Sequence, residues 1–263
     1  MKKPAWRPQS SAETNVTSKA PKPSAIENVN RLELAAGRAL ALRIRESVDG
    51  REQLKGRDRA LVQVAVLAAH GWIPELELAT RRGLAEGLEA TELSETLLHV
   101  AAYGGIPSAN LAAACMAQVF ADERIPLSVE TEPLADKSQA EIDQDGAAVW
   151  SMLSGRPAMP PADLLKALIS RYAGVGELAV RWAFGQVWSR TQLSRRDRSL
   201  VVISILGSWR LAEELAVHVP GGLRHGLTKT EIEEIMTELS LLCGIPTGIE
   251  GMRAARAAFA AVG

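Results

Sequence analysis

The chain has 263 residues, 47% of them hydrophobic and 23% charged, with a net charge of −1. That balance is ordinary for a soluble globular protein and leaves no basic footprint for nucleic acid. Its two cysteines, Cys115 and Cys243, form no CxxC pair, no zinc-ligand spacing and no disulfide framework, so a reducing cytoplasm is the simplest compartment.

Residues 1–25 are rich in Lys, Pro, Ser and Thr and hold no apolar run, which reads as a disordered tail and not a secretory signal. Residues 26–48 place apolar and basic positions at helical spacing without proline. Residues 57–70 are nearly all apolar after "RDR", as in a helix buried on most sides. The run "LVQVAVLAAHGW" is too short to span a membrane. Gly87 and Gly226 stand where a left-handed residue ends a helix, and Pro107 and Pro246 suit a first helical turn. Ser194 with Asp197, and Thr228 with Glu231, have the spacing of helix N-caps. The runs Leu61–Val66 and Leu200–Ile205 also admit a buried-strand reading, but they sit in Ala-rich segments without hairpin turns.

A shift of 139 residues aligns the two halves without a gap. Arg57, Asp58 and Arg59 meet Arg196, Asp197 and Arg198; Glu75 meets Glu214; Gly87, Leu88, Thr91 and Glu92 meet Gly226, Leu227, Thr230 and Glu231; and "GIP" recurs at 105 and 244. Such self-similarity in one register is a duplication. The organisation read from it is a tail over 1–25, a first repeat over 26–121, a linker and start of the second repeat over 122–160, and a second repeat over 161–263.

Several segments resemble the carboxymuconolactone decarboxylase family. They are "FGQVWSRTQLSRRDRSL" from Phe184, "LLHVAAYGGIPSAN" from Leu97, "EELAVH" from Glu213 and "GLTKTEIEE" from Gly226. The resemblance covers about residues 40–120 and 179–259, and it implies an all-α fold of two alkylhydroperoxidase-like repeats forming a pseudo-dimer. It also implies a homo-oligomer, with three tandem chains able to build the ring of six single units. The thiol peroxidases of that superfamily carry Cys-x-x-Cys-x-x-x-His, but here those positions read Trp72, Glu75 and Ala79, then Leu211, Glu214 and His218. Dithiol peroxide reduction therefore lacks its chemistry.

The family reaction removes carbon dioxide from an unsaturated lactone acid with no cofactor and no metal, because the lactone carbonyl takes up the electrons. It needs a poorly solvated seat for the leaving carboxylate, donors for the developing dienolate and a proton for carbon. The resemblance gives His99, His218, Glu75 and Glu214 as catalytic candidates. Arg198, Arg59, Arg190, Tyr103, Trp188 and Asn110 are candidates to hold a small carboxylate or lactone, with Arg51 and Arg81 beside them. The halves have lost complementary parts. The first keeps His99, Tyr103 and Asn110 but has Ala79 for the central histidine; the second keeps His218 but has Glu238, Leu242 and Ile249. This predicts one composite site drawing a histidine from each half, unless the two imidazoles lie more than about 15 Å apart, a bound set by the reach of one small ligand between two hydrogen-bonding side chains. The competing readings are a degenerate paralogue that binds without chemistry, and redox work at a lone cysteine.

Overall fold

The computed structural model describes residues 35–126 and 137–262, so the tail assigned to residues 1–25 lies outside the described residues. Every regular element among the described residues is helical. In the first half these are α1 (Ala35–Asp49), α2 (Gly56–His70), α3 (Ile73–Ala85), α4 (Ala90–His99), a π-helical segment π1 (Val100–Gly104) and α5 (Ile106–Asp122). The second half has α6 (Gln139–Ser154), α7 (Pro161–Tyr172), α8 (Gly174–Leu178), a second π segment π2 (Ala179–Trp188), α9 (Arg195–Ser208), α10 (Ala212–Arg224), α11 (Lys229–Leu242) and α12 (Ile245–Ala261). The runs with a strand alternative lie inside α2 and α9, which are buried almost all round. Buried on every side, those runs carry no alternation to mark a strand face, and their Ala-rich flanks favour helix.

The punctuation follows local chemistry. Ser194 accepts from the Asp197 amide and Thr228 from the Glu231 amide, capping α9 and α11. Gly87 and Gly226 have φ of 90° and 98°, which only glycine adopts cheaply. Pro107 and Pro246 sit in the first turns of α5 and α12. The stretch read as a linker contains α6, which packs on π2 and α10.

The duplication becomes a pseudo-twofold axis. α2 and α9 run parallel at the centre. At their N-termini Arg57 donates to Asp197 at 3.0 Å and Arg196 to Asp58 at 2.6 Å, and each arginine also pairs with a capping glutamate, Glu92 or Glu231. At their C-termini His70 Nε2 lies 3.0 Å from Ser208 Oγ. One continuous core joins Leu61, Val64 and Leu76 to Leu200, Ile203 and Leu215, so neither half buries its apolar face alone. The halves also exchange helices, for α4 packs on α9 and α11 on α2.

α6 reaches π2 through two glycines. A Cβ on Gly146 would lie 2.4 Å from the Val180 carbonyl oxygen, and one on Gly185 would lie 2.5 Å from that of Ile142. Both obstacles are backbone, so the helices must separate. Gly146→Ala or Gly185→Ala is expected to destabilise the protein by about 1–3 kcal/mol in urea unfolding, as overpacking does. Unchanged midpoints would show that the two helices do not lock there.

Candidate functional site

The site grows from two buried arginines that the repeat preserves. Arg198, fully buried in the first turn of α9, donates to the carbonyls of Val187, Arg190 and Leu193, which fixes the loop after π2. It also reaches into the other half. Its Nη2 donates to Glu95 Oε2 at 2.9 Å, while Arg190 holds Glu95 Oε1 at 2.7 Å. The remaining nitrogen, Nη1, lies 2.9 Å from His99 Nε2. A guanidinium only donates, so Nε2 accepts and the His99 ring proton is on Nδ1. That Nδ1 is buried with no partner.

Around this pair the side chains converge. Glu95 and His99 lie one turn apart on α4, and π1 carries the chain on to Tyr103. From π2, Trp188 donates through Nε1 to the Tyr103 hydroxyl at 2.9 Å. Because that oxygen accepts, its own proton is free to donate. The Trp188 ring lies 5.1 Å from His99, 6.0 Å from His218 and 5.9 Å from His225 between centroids, and Tyr103 meets His218 edge-on at 5.4 Å. The first two distances bound the His99–His218 separation at about 11 Å, inside the limit set for a shared site. Nδ1 of His218 and Nε2 of His225 are likewise buried without partners.

Electrostatics follow burial. His99 is driven well below the ordinary imidazole range, first by burial and then by the Arg198 charge. Burial pulls His218 down to about 4, helped by His225, and pulls His225 to about 4, helped by Arg195 and Arg224. Burial also pushes the Tyr103 phenol up, keeping it protonated. The cluster thus offers neutral imidazoles and a neutral phenol.

The duplicate position is built from the same frame and filled. Arg59, the counterpart of Arg198, donates to the carbonyls of Arg51 and Leu54, and Arg51 pairs with Glu234 as Arg190 pairs with Glu95. Where one position has His99 with its unpartnered nitrogen (the open site), the other has Glu238 (the closed one), bonded by Arg59 at 3.1 Å, Arg45 at 2.6 Å and Gln63 at 2.8 Å. Leu242 replaces Tyr103, and Asp49 replaces Trp188. Both π segments among the described residues belong to the open site; their counterparts are ordinary helix and turn.

Of the residues singled out from sequence, His99, His218, Tyr103, Trp188, Arg190 and Arg198 come together. Glu75 and Glu214 do not. They stand exposed in the first turns of α3 and α10, because the neighbouring Leu76 and Leu215 take the inward direction. Asn110 is exposed on α5 and lines a surface groove of about 360 Å³ with Leu97, Leu98 and Phe120, apart from the His99 cluster. Arg59 and Arg51 belong to the closed position, and Arg81 pairs with Glu77, Asp122 and Glu123. Glu95, Ser199, Arg195 and His225 escaped sequence reasoning, although Glu95 recurs at Glu234 in the repeat. Burial pushes the Cys243 thiol up to about 11 and also raises Cys115, the reverse of an activated thiolate. Among the described residues no three His, Cys, Asp or Glu are grouped to hold a metal ion, and no helix is long and apolar enough to cross a membrane.

The sequence model of the carboxymuconolactone decarboxylase family matches residues 37–118 and 173–260. The chain belongs to that family. Within it, the chain is 37% identical over 76 residues to a nitrosuccinic acid decarboxylase of Metarhizium robertsii, covering 29% of this chain and 53% of that protein. It is also 37% identical over 83 residues to a 4-carboxymuconolactone decarboxylase of Acinetobacter baylyi, covering 32% of this chain and 62% of that one. The chain thus spans between half and two thirds of these curated relatives. A crystal structure assigned to a gamma-carboxymuconolactone decarboxylase subunit from Burkholderia xenovorans LB400 superposes with a TM-score of 0.54 at 21% identity, covering 93% of both chains. At that identity the likeness speaks for the fold.

The depressed histidines set a pH dependence of stability. Unfolded imidazoles take up protons below about 6.5, whereas folded His218 refuses one until about 4. The stability that this contributes is complete above pH 6.5 and is lost as pH falls toward 4, on the order of 3 kcal/mol for His218. Thermal melts are expected to show a falling midpoint across that window, and His218→Asn is expected to flatten the fall.

Proposed function

We propose that this chain is a cofactor-independent carboxy-lyase acting on a small unsaturated lactone acid or a related carboxylate, at a single composite site. The observation that carries the reading is the convergence of His99 Nδ1 and His218 Nδ1, both unpartnered, with the Tyr103 hydroxyl around Trp188. Groups left unpaired in a buried place favour a ligand that pairs with them.

The roles follow from protonation. Loss of carbon dioxide leaves an electron pair that moves into the conjugated carbonyl, making an oxyanion. His99, with its acceptor nitrogen bound to Arg198, presents Nδ1–H as a donor, and the guanidinium makes that proton more acidic. The Tyr103 O–H is the second donor. Held in place before reaction, such donors stabilise the transition state more than the ground state. His218 faces the same space and carries the proton to carbon. Its low intrinsic basicity suits this, because an anionic substrate beside it favours the imidazolium, and consumption of the anion returns it to neutrality. Trp188 excludes water from the leaving carboxylate, which gains nothing from hydration it must lose.

Turnover is tested with carboxymuconolactone generated in place, following carbon dioxide release. His99→Ala is expected to lower kcat about 100- to 1,000-fold, the usual loss of an oxyanion donor, and His218→Ala about 100-fold or more. Glu75→Gln is expected to leave kcat unchanged, since that carboxylate stands exposed and away from the cluster. Turnover that survives both histidine variants, or none by the unaltered protein on lactone acids, would sink the reading.

A further inference from the structure

We propose that Arg195 and His225 form an anion seat beside the His99 cluster, which grips the substrate carboxylate that stays and so selects which acids the site accepts. The identity of the ligand rests on the carboxy-lyase reading; the seat itself rests on the geometry alone.

Arg195 opens α9 and Ser199 follows four residues later, on the same face of the helix. Ser199 Oγ lies 2.7 Å from His225 Nδ1, so that face of α9 is the one His225 meets. The His225 ring in turn flanks Trp188, which places the pair at the edge of the cluster. When the Ser199 hydroxyl donates to Nδ1, the His225 ring proton is on Nε2.

Both groups lack an acid. Arg195 Nη1 and His225 Nε2 are buried without partners. The neighbouring cations are already engaged. Arg196 pairs with Asp58 and Glu231, Arg224 donates to the Leu153 carbonyl, and Arg190 and Arg198 divide Glu95 between them. The closed position shows what belongs there. Its counterparts of Arg195 and His225 are Gly56 and Glu86, and a Cβ on Gly56 would lie 2.2 Å from Glu86 Oε2. The two positions are therefore side by side, and the closed half supplies a carboxylate of its own at that spot. The other half instead presents a guanidinium and, in the tautomer with Ser199 donating to Nδ1, an imidazole N–H, two donors matched to two carboxylate oxygens.

Such a seat suits only a carboxylate that survives the reaction. A cation on the departing group would stabilise the ground state, where the charge is, and slow its loss. The departing carboxylate belongs near Trp188, away from the permanent guanidinium charge, and the persistent one at Arg195.

Succinate, which carries the anion without the reactive lactone, and its dimethyl ester, which carries neither, separate the possibilities by isothermal titration. Succinate is expected to bind the unaltered protein one to one, at least tenfold more weakly to Arg195→Gln, and with intermediate affinity to Arg195→Lys. The diester, which has no carboxylate left, is expected to bind Arg195→Gln and the unaltered protein alike. Arg195 is partly exposed, so its variants are expected to melt with the parent. With a turned-over diacid, Arg195→Gln is expected to raise KM and spare kcat, as loss of uniform binding does. Equal succinate binding with and without the arginine, or no binding at all, overturns the seat. Arg195-dependent succinate binding without any decarboxylation sinks the lyase reading and leaves the seat standing; turnover indifferent to Arg195 does the opposite.

Discussion

Everything in this molecule turns on a buried arginine of one half meeting a buried glutamate of the other. Arg198 with Glu95 is almost wholly shielded from water, and Arg59 with Glu238 equally so. Taking such charges out of water is costly, and each would be strongly destabilising alone. Their partners lie across the pseudo-twofold axis, so the arginines are satisfied only when the halves dock in one register. The same guanidiniums hold the carbonyls of the loops before α2 and α9. Loop shape, interface and site thus share one set of hydrogen bonds.

On that common frame the two positions have diverged in opposite directions. One has collected aromatic and imidazole groups, leaving nitrogens without partners. The other has closed itself with Glu238, Arg45 and Gln63 until its charges are matched. Unpaired polarity is concentrated at one position, as are both π segments, whose wider turns re-aim the side chains that follow them. A symmetric dimer of identical chains has no such freedom, because any change there appears twice.

Much of this was legible in the residues. The ungapped repeat announced the axis, the "RDR" arginines marked the start of both central helices, and the complementary losses pointed to His99 and His218, which both flank Trp188. What escaped had a physical reason. Glu75 and Glu214 align with a thiol position in distant relatives, but alignment carries no direction, and here the next residue turns inward. Glu95 gave a faint signal by recurring at Glu234. His225, Ser199 and Arg195 gave none, because their counterparts are Glu86, Ala60 and Gly56 and their meeting depends on tertiary packing. The π segments are a tertiary effect too: the first arises in a stretch whose duplicate is ordinary helix and turn.

The covalent joining of unlike halves has a consequence for mass action. Either half, set free, would meet copies of itself as readily as its complement, and like pairs would lack one side of the His99–His218 cluster. Tethering makes the productive encounter intramolecular, at an effective concentration that solution pairing does not reach. The duplication therefore acts as a control on stoichiometry: every folded chain holds one of each half, and the specialised position assembles at any dilution.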